Sequence, residues 1–110
     1  MALSCFPKIS KHIELSDGTH YAYAYAAASA SKPTFLLLHG FPSSSYDWRH
    51  QVTALAAKGF GVLVPDLLGY GDTDSPADVE AYSFRRMSDH LAEILINEGI
   101  EKVIGVGHDW

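Results

Sequence analysis

The sequence of 110 residues lacks features that define whole classes of protein. Its single cysteine, Cys5, cannot form an internal disulfide, which excludes a disulfide-stapled secreted scaffold. Only 8 Lys and Arg stand against 13 Asp and Glu, without a basic cluster, so no nucleic-acid partner is expected. Apolar runs such as 35–38 are far too short to span a bilayer, and Pro7 and Lys8 interrupt any signal-peptide core. We therefore expect a cytoplasmic protein without a membrane span.

The first part of the chain predicts an antiparallel hairpin. Residues 13–15 are typical of a strand, and the Asp17-Gly18 pair after them tolerates the positive φ of a tight turn. Tyrosines at 21, 23 and 25 then alternate with alanines, which places three aromatic rings on one face of a second strand. We predict that this second strand lies at an edge of the sheet.

The rest of the chain alternates buried strands with amphipathic helices. A continuous apolar run at 34–38 predicts a strand buried on both faces of a parallel sheet, and further strands are predicted at 61–64 and 102–106. Helical spacing between them predicts two helices, the first capped by Asp47 and stopped by Gly59, the second capped near Ser83 and stopped by Gly99. This order predicts an α/β fold, a mainly parallel sheet with an N-terminal antiparallel hairpin.

Three polar loops follow the three parallel strands. Because the carboxyl ends of parallel strands meet at one edge, where open α/β sheets bind ligands, we expect loops 39–46, 66–76 and 107–110 to converge. The Gly69-Tyr70-Gly71 stretch lacks a third glycine and a helix at the right spacing, which argues against phosphate binding. No metal site and no cofactor are expected.

Two of these loops resemble the catalytic loops of a known family. Gly-His-Asp-Trp at 107–110 resembles the nucleophile elbow of the α/β-hydrolase fold, a sharp turn that exposes one reactive side chain. His-Gly-Phe-Pro at 39–42 is similar to the H-G-x-P turn with which epoxide hydrolases form their oxyanion hole. The resemblance runs from about residue 34 to 110. It implies that residues 1–110 are the N-terminal portion of a single α/β-hydrolase domain, with the cap domain and C-terminal portion outside them.

The resemblance also assigns roles to individual residues. Asp109 would be the nucleophile, which suits a carboxylate with a reference pKa of about 3.9, because it needs no base to attack carbon. A plain helix N-cap is the alternative role for Asp109. The backbone N–H groups of Phe41 and Trp110 would form the oxyanion hole, and their side chains would line the substrate pocket. The residues expected to be structural at the site are His39, Gly40, Pro42, Gly107 and His108.

The implied reaction opens a small-molecule epoxide to a vicinal diol through a covalent ester of Asp109, which a histidine-activated water then hydrolyses. That histidine, its acid partner and the cap tyrosines lie outside these residues. The chain alone is therefore predicted to be inactive and to need the remaining polypeptide, and a homodimer is left open.

Two alternative functions remain at this point. A haloalkane dehalogenase would use the same ester chemistry, but Phe41 lacks the amide with which that family often helps a tryptophan to bind halide. A non-catalytic truncated product is the other alternative.

Overall fold

The computed structural model describes Ala2 and residues 6–29, 31–40 and 44–108. Within these residues the chain forms five strands, two α-helices and two short 3-10 helices. The strands are β1 (Ser10–Glu14), β2 (His20–Ala26), β3 (Thr34–Leu38), β4 (Gly61–Pro65) and β5 (Ile104–Gly107). The helices are α1 (Arg49–Ala57) and α2 (Phe84–Asn97), each preceded by a 3-10 helix, at Ser45–Trp48 and Val79–Tyr82.

The five strands form one mixed sheet in the order β1-β2-β4-β3-β5. The hairpin strands are antiparallel to each other, and β2 is also antiparallel to β4. In contrast, β3 runs parallel to both of its neighbours, β4 and β5. The predicted α/β architecture, with a hairpin followed by parallel strands, is therefore confirmed.

The strand with alternating tyrosines is not at an edge, so that prediction is wrong. β2 lies between β1 and β4, and β1 is the outer strand of the hairpin. Tyr21 and Tyr23 are only 0% and 1% exposed, and Ala22 and Ala24 on the opposite face are fully buried as well. The alanines are small and apolar, so this strand is covered on both faces rather than on one.

Apolar side chains cover both faces of the sheet. The tyrosine face packs against α2, and the alanine face packs against α1. On the α2 side the buried core residues are Leu15, Tyr21, Tyr23, Leu36, Leu63, Leu68, Ala81 and Ile94. On the α1 side they are Phe6, Ala24, Leu37, Val52, Val62 and Val64.

The start of the first helical segment differs from the prediction. Asp47 is not an N-cap, because it lies inside the 3-10 helix that precedes α1. Ser44 caps that segment instead, and its hydroxyl accepts a hydrogen bond from the Tyr46 N–H. A single 3-10 turn inserted before the α-helix moves the cap three residues toward the N-terminus.

The other helix boundaries follow the sequence signals. The Ser83 hydroxyl caps α2 by accepting from the Arg86 N–H at 3.2 Å. Gly59 and Gly99 follow the two helices with φ of 85° and 73°, a conformation that favours glycine. Neither helix in the described part of the chain has the length and apolar character needed to cross a membrane.

Candidate active site

The loops that follow β3 and β5 leave the sheet side by side. Leu38, the last residue of β3, pairs with Gly107, the last residue of β5. The backbone N–H of His108 extends this pairing by donating to the Leu38 carbonyl at 3.2 Å. Residues 39–40 and 107–108 therefore begin at the same edge of the sheet, as predicted for parallel strands.

His39 joins the loop after β3 to the loop after β4. Its side chain is fully buried, and its Nε2 accepts a hydrogen bond from the Leu67 N–H at 2.9 Å. The proton must then reside on Nδ1, which donates to the Gly40 carbonyl at 3.0 Å. The ring also packs edge-on against Tyr70, with 5.1 Å between ring centroids. Both nitrogens of His39 are thus engaged within the protein.

Asp66 places a buried carboxylate immediately after β4. The residue is 0% exposed, its Oδ1 accepts from the Ser45 N–H at 2.9 Å, and its Oδ2 accepts from Ala2 at 2.8 Å and Asp72 at 3.1 Å. Burial alone would raise the pKa of this carboxyl, but hydrogen bonds to the charged form outweigh burial and lower the pKa. Asp66 is therefore an ionised group that holds backbone from three parts of the chain.

The loop after β4 is built closely around this carboxylate. Gly71 has φ of 52°, and a Cβ at this position would overlap the Asp66 carboxylate. The Thr73 hydroxyl donates to the Asp66 carbonyl and accepts from the Ala22 N–H at 3.0 Å. These contacts fix the loop against both the sheet and its own carboxylate.

His108 is exposed and lies on the α1 side of the sheet. It lines a cavity of about 320 Å³ together with Asp47, Trp48 and Gln51 at the start of the first helical segment. The buried Trp48 Nε1 has no hydrogen-bond partner within the described structure.

The remaining predicted site residues, Phe41, Pro42, Asp109 and Trp110, lie outside the described residues.

A second polar cluster, which no sequence pattern indicated, lies between the hairpin turn and α2. The buried His90 bonds through Nε2 to Asp17 Oδ2 at 2.8 Å and through Nδ1 to the Tyr21 hydroxyl at 3.0 Å. The same turn is held by Glu93, which accepts from the N–H and the hydroxyl of Ser16. A cavity of about 370 Å³ lies beside this cluster. Across the described ranges, no group of three or more His, Cys, Asp or Glu residues is arranged to hold a metal ion.

The sequence model of one family, the alpha/beta hydrolase fold, matches residues 33–110. This match includes all three parallel strands and the loops at their carboxyl ends. The chain therefore belongs to the α/β-hydrolase family.

Within that family the chain is similar to epoxide hydrolases. It is 44% identical over 91% of its length to epoxide hydrolase 3 of Siraitia grosvenorii, and 44% identical over 76% to epoxide hydrolase A of Mycobacterium tuberculosis. A solved mutant of a Vigna radiata epoxide hydrolase superposes on 96% of the chain, with a TM-score of 0.85 and 34% identity. The chain spans 31%, 26% and 32% of these three proteins, respectively.

Proposed function

We propose that the full-length protein is an epoxide hydrolase and that Asp109 is its nucleophile. The observation that carries this proposal is the pairing of β3 with β5, in which the His108 N–H donates to the Leu38 carbonyl. Because of this pairing, the His-Gly-Phe-Pro motif and the Gly-His-Asp-Trp motif begin at neighbouring strand ends on one edge of the sheet. Similarity to epoxide hydrolases over most of the chain supports the same assignment.

The first step of the proposed mechanism forms a covalent ester. A carboxylate oxygen of Asp109 attacks one carbon of the epoxide ring, and the bond between that carbon and the ring oxygen breaks. The ring oxygen leaves as an alkoxide and takes a proton from an acidic side chain of the remaining polypeptide. The product of this step is a hydroxyalkyl ester of Asp109.

The second step hydrolyses the ester. A histidine of the remaining polypeptide removes a proton from water, and the oxygen of that water attacks the carbonyl carbon of Asp109. The negative charge then develops on the former carbonyl oxygen, where the backbone N–H groups of Phe41 and Trp110 would stabilise it. The bond between the carbonyl carbon and the diol oxygen breaks, the diol oxygen takes the proton from the histidine, and the second proton of the water returns to the acidic side chain as the Asp109 carboxylate is restored.

The proposal extends to the organisation of the protein. Residues 1–110 form the N-terminal portion of one α/β-hydrolase domain, and the cap domain and catalytic histidine belong to further polypeptide. The substrate is a small-molecule epoxide. A cytoplasmic location and a homodimer are the remaining parts of the proposal, and the location is supported by the single cysteine.

Heavy-oxygen labelling tests the nucleophile in the full-length enzyme. A single turnover in H₂¹⁸O should place the label on Asp109 and leave the first diol unlabelled, because water attacks the ester carbonyl. Asp109→Ala should abolish ring opening, whereas Asp47→Ala, a matched control in the first helical segment, should retain it. Label found only in the first diol would mean that water attacks the epoxide directly, and the assignment of Asp109 would be wrong.

A haloalkane dehalogenase is the second candidate, and it differs in the leaving group. Halide release by the full-length enzyme, at a rate comparable to epoxide opening, would favour this candidate. Phe41 carries no amide to bind halide, and the relatives described above are epoxide hydrolases. We therefore expect little or no halide release from a chloroalkane of matched size.

A further inference from the structure

Three tyrosines that the proposed mechanism does not use lie on one face of β2. Tyr21 and Tyr23 are 0% and 1% exposed, and Tyr25 packs against the same core from a partly buried position. Neighbouring tyrosines of this row are about 7 Å apart along the strand, because each is two residues from the next. The row therefore connects a fully buried phenol ring to a partly exposed one.

The hydroxyl of Tyr21 donates its hydrogen bond to a base. In the neutral imidazole of His90, Nδ1 accepts from this hydroxyl at 3.0 Å, while Nε2 donates to Asp17 Oδ2 at 2.8 Å. The Asp17 carboxylate stabilises an imidazolium, so it makes His90 a better proton acceptor. Arg86 approaches the same carboxylate to 3.6 Å from a half-exposed position and offsets this effect only in part.

We propose that Tyr21 is a redox-active tyrosine that passes its proton to His90 when it gives up an electron. A one-electron oxidant such as a peroxyl radical takes the electron and becomes a peroxide anion. The O–H bond of Tyr21 breaks, and the proton moves to His90 Nδ1. The protein is left with a neutral phenoxyl radical and an imidazolium paired with Asp17. A one-electron donor such as ascorbate returns the electron, and the proton goes back to the phenol oxygen.

The proton acceptor decides how readily a buried tyrosine can be oxidised. A phenol that has lost an electron is a strong acid, so its oxidation is costly unless the proton leaves in the same step. Burial raises the pKa of Tyr21, which disfavours the alternative route in which the proton leaves first. Because His90 holds an acceptor nitrogen at hydrogen-bond distance, the electron and the proton can leave Tyr21 together.

The other two tyrosines of the row are less suited to hold the radical. The Tyr23 hydroxyl donates to Glu98, but the Lys11 ammonium pairs with that carboxylate at 2.8 Å. The pairing makes the carboxylate a weaker proton acceptor. The same ammonium lies 5.3 Å from the centre of the Tyr25 ring, where its positive charge opposes the loss of an electron. An electron deficiency that enters the row at Tyr25 should therefore move inward and settle on Tyr21.

The radical can be generated with light in the full-length protein. A tris-bipyridine ruthenium complex, oxidised by a flash in the presence of persulfate, takes the electron. The tyrosyl radical is then followed by its absorbance and by electron paramagnetic resonance of frozen samples. The part of the signal that Tyr21→Phe removes belongs to Tyr21, and we expect this part to be large.

Tyr82→Phe is the matched control. The Tyr82 hydroxyl is also held in a hydrogen bond, at 2.6 Å, but its acceptor is the Pro76 carbonyl, which is not a base. Tyr82 should therefore contribute little radical, and Tyr82→Phe should keep the wild-type signal. An equal loss of signal in the two variants, or no loss in Tyr21→Phe, would overturn the assignment of the radical to Tyr21.

Two measurements test the transfer of the proton to His90. His90→Leu keeps the phenol and removes the acceptor, so the Tyr21 radical should form about tenfold more slowly or worse, since a positioned proton acceptor typically contributes about 10²–10⁴-fold. In the wild-type protein, D₂O in place of H₂O should slow the same step, because a deuteron then moves with the electron. The D₂O measurement needs no variant and carries the test if His90→Leu does not fold.

A Tyr21 radical that forms at the same rate in H₂O and D₂O, or at the wild-type rate in folded His90→Leu, would overturn the role of His90. A hydrogen bond that only stabilises the fold would give these results. None of the measurements uses an epoxide, so their outcome is independent of the proposed function.

Discussion

The link between the hairpin turn and α2 can be tested by removing its two buried members, His90 and Tyr21. His90 is 3% exposed, and Tyr21 is fully buried. The Asp17 carboxylate only accepts hydrogen bonds, so His90 Nε2 must donate to it at 2.8 Å. In the neutral imidazole, Nδ1 then accepts from the Tyr21 hydroxyl at 3.0 Å.

The expected free energies follow from which groups lose their partners. His90→Leu leaves the buried Tyr21 hydroxyl without an acceptor, which costs about 1–3 kcal/mol. Tyr21→Phe leaves Nδ1 of His90 without a donor, at about 1–2 kcal/mol. In the double variant neither group is left unpaired. The free energies of unfolding lost by the two single variants should therefore add up to about 1–2 kcal/mol more than the double variant loses.

Urea unfolding of the full-length protein and the three variants measures this coupling free energy. A coupling free energy below about 0.5 kcal/mol is what two independent sites give. Such a result would refute the link between the two rings.

The pH dependence gives a second readout of the same cluster. The hydrogen bond from His90 is the largest cause that lowers the pKa of Asp17, followed by hydrogen bonds from Thr19. A carboxyl group whose pKa is lowered by folding stabilises the protein at pH values above its pKa in the unfolded chain. This contribution is lost as the pH falls through its pKa in the folded protein. The stability difference between wild type and His90→Leu should therefore shrink below about pH 4. A difference that stays constant down to pH 2 would contradict this account.

Two further substitutions test the packing of the loops and of the hairpin. Gly71→Ala should lower the free energy of unfolding by more than Gly18→Ala, as measured by urea unfolding. Both glycines have a positive φ, at which an alanine costs about 1 kcal/mol. Of the two positions, only Gly71 would bring the new Cβ into overlap with a side chain, that of Asp66. Tyr23→Phe removes the hydroxyl that donates to the largely buried Glu98 and should cost about 1–3 kcal/mol in the same assay. Equal losses for the two glycines, or no loss for Tyr23→Phe, would contradict these contacts.

The fold was predictable where burial leaves a continuous apolar signal. Strands β3 and β4 are covered by a helix on each face, so residues 35–38 and 62–65 are apolar throughout, a pattern typical of parallel strands. The position of β2 in the sheet was not predictable in this way. Alternating tyrosine and alanine is typical of a strand with one covered face, and strand order depends on contacts that no local pattern encodes.

The polar contacts of the site were less accessible to sequence reasoning. Asp66 was visible as an acidic residue directly after a buried strand, but its partner Ser45 lies 21 positions earlier. Asp17 and His90 are 73 positions apart. Helical spacing places Phe84 on the apolar face of α2, yet its side chain is 76% exposed, because the packed stripe begins one turn later at Met87. Helical periodicity identifies a face but not the residue at which packing begins.

The position of His39 limits which group can activate water for ester hydrolysis. A general base needs a lone pair directed at that water, and a neutral imidazole has only one. The lone pair of His39 accepts from the Leu67 N–H, and its other nitrogen donates to the Gly40 carbonyl. Protonating Nε2 would break the bond that joins the two loops. His39 therefore cannot serve as the base without breaking this bond, and the proposed mechanism assigns the base to a histidine of further polypeptide. An ester that forms on Asp109 should accordingly persist until that histidine is present.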